Sequence, residues 1–466
     1  MVFSSITFLF FFLPAFMAAY FVPSGISVKN GIILVASLLF YAWGEPWFVL
    51  VLLGSIAFNV RAAVAIDSRD GSARRRALLV AVAFNLGLLG LFKYAGFVTE
   101  NLAAVTAPLG LGLARLDLPL PLGISFFTFH ALSYVIDVYR RRFPANHDPV
   151  EVALYIALFP QLVAGPIVRY RTVARQLRRR RHTLGRASAG ARMAVIGLAQ
   201  KVLIADQLAP VAEAVFDGTT HPSAADAWLG LLAYTLQIYF DFAGYSAIAI
   251  GLGLVLGFSL PRNFDLPYTS LSVTEFWRRW HMSLSSWLRD YLYIPLGGSR
   301  GGQFTTYRNL VTVFLACGLW HGAGWTFLLW GAWHGAFLVL ERAIGASRIT
   351  RLPALLRWAY AAAAVMGGWV LFRATDLEQA GAMFQALVGL GDRHGLSFGT
   401  HLVLRPTTLI ALVVGCLIAT LPRWIRLPAT GSLAAAADTG LIFGLFALSL
   451  LMVAAGTYSP FLYFRF

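Results

Sequence analysis

Long apolar runs recur along almost the whole chain, and they constrain the fold more than any other feature of the sequence. Most of them are about 20 residues long, which is the length of helix that crosses the hydrocarbon core of a bilayer. Inside lipid, every backbone polar group must be hydrogen-bonded within the protein, so such runs form helices. The sequence therefore predicts an all-α polytopic integral membrane protein with about 11 to 13 transmembrane helices.

The composition agrees with this prediction. Of the 466 residues, 58% are hydrophobic and only 12% are charged, whereas soluble domains carry about a quarter charged residues. No long polar segment interrupts the apolar runs, so we predict a single transmembrane domain over residues 1–466. The N-terminal apolar run lacks a basic segment and a small-residue cleavage site, which indicates a retained first span.

The formal net charge of +16 is distributed over short loops. This pattern is typical of cytoplasmic loops and of contacts with anionic membrane lipids, and it argues against nucleic-acid binding. Residues 67–76 are predicted to be a basic cytoplasmic loop. Residues 169–192 are predicted to be a cytoplasmic, lipid-facing surface stretch, with binding of an anionic cofactor as the alternative. Residues 150–168 have a basic flank on each side, so a re-entrant or in-plane segment is favoured over a full crossing.

Residues 276–341 combine two unusual patterns. A segment rich in Trp, Arg and His is followed by an apolar run that contains His321 and His334. An ionisable side chain at membrane depth is costly, so it is either paired inside the bundle or functional. A dry, neutral imidazole can act as a general base for a hydroxyl, but helix-to-helix hydrogen bonding stays open for both histidines. His130 and Asp241 are interpreted as packed polar groups.

The periodicity over residues 274–296 predicts one amphipathic helix at the bilayer interface. Trp277, Trp280 and His281 lie on one face of this helix, and Arg278 and Arg289 lie on another. Such arginines contact either lipid or the phosphates of a ligand. No set of carboxylates and histidines has the spacing of a metal site, and Cys317 and Cys416, both in apolar runs, suggest no disulfide.

Several long motifs give the chain a family resemblance. FWRRWHMSLSSWLRDYLYIPLGG and GLWHGAGWTFLLWGAWHG, supported by SLLFYAWGEPWF, FPQLVAGPIVRY, QIYFDFAGYS, GWVLFRA and the SPFLYF ending, stand in the family's order. The chain thus resembles the membrane-bound O-acyltransferases, and specifically the bacterial alginate O-acetyltransferase branch, with core motifs over about residues 118–342. Two positions depart from the family pattern: Ala247 stands where an Asp is usual, and His130 where a Gln or similar residue is usual.

The resemblance implies a helical bundle around a central tunnel, with additional re-entrant or interfacial helices. It also implies that His321 is the essential catalytic histidine and that His281 assists or orients. Acetyl-CoA would be the acyl donor, with no permanently bound cofactor and no metal. We expect its phosphates, or lipid, to contact the four arginines of the central segment: Arg278, Arg279, Arg289 and Arg300.

The function implied is that of a polysaccharide O-acetyltransferase in the bacterial inner membrane. Acetyl would pass from cytoplasmic acetyl-CoA towards alginate, another exopolysaccharide or peptidoglycan, through a periplasmic acetyl-accepting or SGNH-type transferase partner. One alternative is D-alanyl transfer to teichoic acids, although WLRDYLYIPLGG favours the alginate branch. The other is a transporter or flippase in which His321 binds a substrate or a proton. The glycan and the existence of a covalent acyl-enzyme stay open, with direct transfer as the default.

Overall fold

The computed structural model describes residues 1–22, 25–110, 112, 114–218, 221–392, 395–421 and 432–456. Across these residues the regular structure is helical, apart from one isolated bridge between Ser223 and Asp392. This confirms the predicted all-α class. The SPFLYF motif at the end of the chain lies outside the described residues.

The chain forms two compact units, Met1–Ala194 with Ile248–Pro261, and Val195–Ala247 with Arg262–Phe466. The prediction of one domain over residues 1–466 stays a prediction. The first unit contains the following helices, of which α9 continues into the second unit: α1 Leu13–Phe21, α2 Ile26–Ala42, α3 Phe48–Asp67, α4 Gly71–Thr106, α5 Ile124–Tyr139, α6 Pro149–Ala157, α7 Phe159–Leu162, α8 Tyr170–Arg178 and α9 Leu184–Ala199.

The second unit contains most of the remaining helices and the motifs of the central segment. Its helices, with α11 continuing into the first unit, are α10 Asp206–Phe216, α11 Ala224–Val255, α12 Val273–Arg279, α13 Met282–Leu288, α14 Gly302–His321, α15 Trp325–Ile344, α16 Ala346–Ile349, α17 Ala354–Arg373, α18 Leu377–Leu387, α19 Phe398–Val403, α20 Pro406–Thr420 and α21 Ser432–Ala454. Short π-helical turns follow α9, at Gln200–Ala205, and α13, at Arg289–Tyr293.

Six helical segments in the described residues are long and apolar enough to cross a membrane. They are Phe48–Asp67, Gly71–Leu109, Leu184–Phe216, Ala224–Val255, Ala354–Arg373 and Ala436–Ala454, and four shorter apolar helices accompany them. Large apolar side chains of α20, such as Leu409, Ile410 and Val413, are exposed, as lipid contact requires. The chain is a multi-pass membrane protein, and the number of 11 to 13 crossings stays a prediction.

Residues 150–168 do not form one continuous span. The nine residues of α6 extend about 13 Å, and the chain turns at Leu158 before the four residues of α7. A helix of nine residues is too short to cross the hydrocarbon core, which needs about 20 residues. The broken helix supports the prediction of a re-entrant or in-plane segment.

Each of the two basic segments contains an arginine that is buried rather than exposed at the surface. Helix α4 already begins at Gly71, because arginine favours helix, and Arg74 donates to the carbonyl oxygens of Val138 and Tyr139 at 2.8 and 3.1 Å. These bonds satisfy carbonyls at the end of α5. In residues 169–192, Arg180 is buried and donates to Tyr20 Oη at 3.1 Å. The prediction was therefore wrong for these two arginines, which have polar partners inside the protein.

A buried cluster of three charged side chains joins α10, α11 and the π-helical turn between α9 and α10. The ammonium of Lys201 lies 2.5 Å from a carboxylate oxygen of Asp206 and 2.8 Å from one of Asp241. All three side chains are almost fully buried. Charges removed from water are tolerated when they are paired and hydrogen-bonded, so this cluster explains how Asp241 is accommodated at membrane depth.

Replacing Lys201 by methionine is expected to destabilise the protein by about 3–5 kcal/mol, because it removes the cation that compensates two buried carboxylates. The free energy of unfolding in mixed micelles measures this loss. The triple variant Lys201→Met, Asp206→Asn, Asp241→Asn removes all three charges and is expected to be more stable than Lys201→Met alone. A Lys201→Met protein that unfolds like the wild type would contradict the prediction.

Candidate active site

His321 is the last residue of α14, and the geometry of the α14–α15 hairpin fixes its position. A Cβ atom added at Gly318 would overlap the carbonyl oxygen of Phe327, and one added at Gly331 would overlap that of Phe314. Small residues at such crossings let two helix backbones approach closely. The close approach places the imidazole of His321 against the indole of Trp330, with 5.1 Å between the ring centroids.

The side chains of Ser272 and Glu341 accept hydrogen bonds from N–H groups at the N-terminus of α12. Ser272 accepts a hydrogen bond from the Glu275 N–H at 3.0 Å, as an N-cap serine does. The carboxylate of Glu341, near the end of α15, accepts from the N–H groups of Val273 and Thr274 at 2.6 and 2.9 Å. Because unpaired N–H groups and a partial positive charge gather at a helix N-terminus, Glu341 ties α12 to α15.

The single helix predicted over residues 274–296 was wrong. Helix α12 ends at Arg279, His281 has a left-handed backbone with φ 42°, and α13 begins at Met282. Asn263 accepts hydrogen bonds from the backbone at this break. Its main-chain oxygen accepts from the Met282 N–H at 2.9 Å, and its side-chain oxygen accepts from the Ser283 N–H at 3.2 Å. A left-handed conformation is strained for a residue with a Cβ, and these bonds offset the strain.

The contact between Asn263 and His281 defines the tautomer of the imidazole. Asn263 Oδ1 lies 3.2 Å from His281 Nδ1 and also accepts from Ser283 Oγ at 2.9 Å. The Asn263 amide group donates in turn to Ser246 Oγ at 3.1 Å. An amide oxygen only accepts hydrogen bonds, so His281 carries its proton on Nδ1 and keeps a lone pair on Nε2. Burial lowers the pKa of His281, which favours this neutral form.

His281 and His321 lie close together in an aromatic environment. Their ring centroids are 6.5 Å apart, and both residues are buried, with 0% and 3% exposure. Phe242 packs edge-on to His281 at 4.7 Å, and Phe372 packs edge-on to His321 at 5.1 Å. Four of the motifs found in the sequence, separated by up to 130 residues, thus meet around one pair of buried imidazoles, which is an arrangement suited to proton transfer away from water.

His334, His130 and Asp241 each have a polar partner of their own. Trp277 Nε1–H donates to His334 Nδ1 at 3.3 Å, and a Cβ at Gly368 would overlap the other side of the His334 ring. In the first unit, the Val168 N–H donates to His130 Nε2 at 3.3 Å. With Asp241 in the charge cluster, all three fit the interpretation of packed polar groups.

The four arginines predicted to contact phosphates do not line one common cavity. Arg278 and Arg279 line a cavity of about 680 Å³ beside α12. Arg279 is paired with Glu275 at 2.8 Å, and Arg289 is paired with its neighbour Asp290 at 2.7 Å. Arg300 is exposed before α14. Their predicted role in binding the donor stays a prediction.

Sequence analysis missed two residues that position the site, Asn263 and Glu341. Asn263 stands in a short polar stretch between α11 and α12, and Glu341 is an acidic residue at the end of an apolar run. Both patterns were visible, but neither specifies a partner. Among the described residues, no group of three or more His, Cys, Asp or Glu side chains is placed to hold a metal ion.

The fold and the buried histidine pair define a helical, multi-pass membrane protein with a polar site enclosed in the protein. The sequence model of the membrane-bound O-acyltransferase family matches residues 35–372. The chain belongs to this family and is an O-acyltransferase. The family resemblance found in the sequence is thereby confirmed.

Curated relatives give more detail. The chain is 42% identical to the probable alginate O-acetylase AlgI of Azotobacter vinelandii, with all of both chains covered. It is 36% identical to the peptidoglycan O-acetyltransferase of Helicobacter pylori, over 84% of this chain and 80% of the relative. A more distant relative, the teichoic acid D-alanyltransferase of Bacillus subtilis, is 28% identical over 43% of this chain and 53% of its own.

Replacing Asn263 by alanine is expected to lower the rate of acyl transfer about 10- to 100-fold. The change removes the acceptor that fixes the orientation and tautomer of His281; loss of a buried hydrogen bond costs about 1–3 kcal/mol, and about 1.4 kcal/mol corresponds to tenfold in rate. Ser246→Ala removes only the distant end of the same chain of hydrogen bonds and should have a smaller effect. The acyl-transfer rates of the two purified variants are compared. A lower rate for Ser246→Ala than for Asn263→Ala would contradict the prediction.

Proposed function

We propose that this protein transfers acetyl from cytoplasmic acetyl-CoA to a polysaccharide acceptor at the periplasmic side of a bacterial inner membrane, with His321 as the general base. The observation that carries the proposal is the pair of buried imidazoles, His281 and His321, enclosed by aromatic rings. Family membership makes the reaction an acyl transfer to a hydroxyl. The acceptor class is supported by the alginate and peptidoglycan activities in the names of the relatives.

In the proposed reaction, His321 takes the proton of the acceptor hydroxyl while the hydroxyl oxygen attacks the thioester carbonyl. The C–S bond then breaks, the acetyl ester forms, and the CoA sulfur leaves and receives the proton, so that the products are ester and free thiol. His281, with Nδ1–H held by Asn263, keeps Nε2 as a hydrogen-bond acceptor and assists in orienting the reacting groups.

The aromatic enclosure serves this chemistry in two ways. It excludes water, which would otherwise hydrolyse the thioester. It also holds the imidazoles in fixed orientations, so that bound reactants meet in a productive geometry. Trp320, Trp330 and Phe372 each have a ring within about 5 Å of the His321 ring, and none of these side chains competes with substrate for the proton.

The proposal also specifies the acyl donor and a periplasmic partner protein. We propose acetyl-CoA as a substrate rather than a resident cofactor, and of the four arginines expected from the sequence we retain Arg278 as a candidate contact for its phosphates. A periplasmic acetyl-accepting or SGNH-type transferase protein would pass the acetyl group to the glycan. D-alanyl transfer from a carrier-protein thioester remains the second candidate, because a D-alanyltransferase also matches, although over less than half of this chain.

Replacing His321 by alanine is expected to lower acetyl transfer at least about 100-fold, because general base catalysis contributes about 10²- to 10⁴-fold. The measurement is release of free CoA thiol from acetyl-CoA by protein purified in detergent, with a hydroxyl acceptor or candidate periplasmic partner present. His281→Ala is expected to reduce the rate less than His321→Ala, since His281 assists.

His130→Gln is the matched control for the loss of a buried imidazole. His130 lies in the first unit, outside the histidine pair, and glutamine retains a polar group that accepts from the Val168 N–H. This variant should keep most of the activity. Full activity in a folded His321→Ala protein would refute the assigned base, and a wild type that uses only a D-alanyl carrier thioester would favour the second candidate.

A further inference from the structure

A cavity beside α12 in the second unit is lined mainly by polar and charged residues. Its volume is about 680 Å³, and it is bounded by α12, the end of α15, α16 and the start of α17. Hydroxyl groups of Ser272, Thr274 and Thr350 line it together with four arginines, Arg278, Arg279, Arg342 and Arg357. A cavity with this lining offers many hydrogen-bond donors to a ligand.

Each acidic side chain in the lining has a partner of its own. Glu275 is paired with Arg279 at 2.8 Å, and Asp265 is paired with Arg262 at 3.1 Å. The carboxylate of Glu341 accepts hydrogen bonds from the first N–H groups of α12. The lining thus holds four arginines against three carboxylates, and neither ion pair of the carboxylates involves Arg278, Arg342 or Arg357.

Arg278, Arg342 and Arg357 form no ion pair within the described part of the chain. The Nε atom of Arg357 is also shielded from solvent and has no hydrogen-bond partner among the described residues. A buried donor without a partner is costly. Three positive guanidinium groups around one cavity thus form a site for an anion, and planar guanidinium groups match the oxygens of phosphate in particular.

The cavity adjoins the helix that leads to the histidine pair. Thr274, Glu275 and Arg278 of α12 line it, whereas Trp277 of the same helix packs on Trp330, with 5.6 Å between ring centroids. Trp330 in turn packs on His321 at 5.1 Å. Helix α12 and the indole rings of Trp277 and Trp330 thus connect the cavity to the histidine pair.

We propose that Arg278, Arg342 and Arg357 bind the phosphate groups of the acyl donor in this cavity. The proposal rests on the proposed function and deepens it, since it replaces three of the four arginines expected from the sequence. Arg279 and Arg289 are already paired with carboxylates, and Arg289 and Arg300 do not line the cavity. Arg342 and Arg357 follow the family's histidine motifs in the chain, and their sequence context did not indicate a ligand.

The test is binding of CoA, which carries the phosphates but cannot transfer an acyl group. The dissociation constant for CoA is measured by isothermal titration calorimetry on the full chain in nanodiscs of neutral phosphatidylcholine. The variant Arg342→Gln with Arg357→Gln is expected to bind CoA at least about 100-fold more weakly than the wild type, because two charge-assisted contacts are lost. The matched control, Arg348→Gln with Arg351→Gln, removes equal charge from exposed positions outside the cavity and is expected to bind within about threefold of the wild type.

One further variant and two contrary outcomes separate the possible results. Arg342→Lys with Arg357→Lys keeps the charge and should bind between the wild type and the glutamine variant, whereas a purely structural defect would appear as aggregation on size exclusion. Glutamine variants that bind CoA like the wild type overturn the site and leave the proposed reaction intact. A wild type that binds no CoA, but retains fluorescent phosphatidylglycerol through Arg342 and Arg357, assigns the cavity to lipid headgroups and overturns the donor assignment.

Discussion

The hydrogen bonds accepted by Asn263 are the interaction on which the site depends. They join the left-handed turn at His281 to the start of α13 and fix the imidazole tautomer at the same time. In a buried place, each of these donors would be costly if unsatisfied, so one side chain sets both the backbone path and the protonation pattern. Glu341 has the corresponding role at the other end of α12, where it accepts from the first N–H groups. The short helix between them carries Trp277 towards the histidines and Arg278 towards the cavity.

The second constraint is the low dielectric of a membrane interior, where polar groups require partners. The protein meets it in two ways. Lys201 is paired with two carboxylates in a buried cluster, whereas His281 and His321 are enclosed by aromatic rings. Glycines at the α14–α15 crossing make this enclosure tight, because any larger side chain would separate the two helices.

Much of the fold followed from the sequence by direct physical argument. Runs of about 20 apolar residues can only be helices in lipid, and the family motifs identified the O-acyltransferase class. The sequence also indicated that residues 150–168 would not form a full span. The errors arose where one sequence pattern is compatible with two different structures. Helical periodicity continues through His281, but the bonds to Asn263, 18 residues earlier, break the helix there. The run of arginines near Arg74 suggested a loop, but arginine also extends helices and caps carbonyls.

By itself, the sequence determined that this chain is an all-helical membrane protein of the O-acyltransferase family, and it named His281 and His321 as candidates, because hydropathy and local motifs are properties of contiguous residues. Only the tertiary structure decided which distant residues meet. It placed Phe242, His281, His321 and Phe372 around one site, and it placed Arg278, Arg342 and Arg357 in the lining of one cavity. These pairings depend on helix packing and on hydrogen bonds between segments far apart in the chain, and no local pattern in the sequence encodes the partner of a buried polar group.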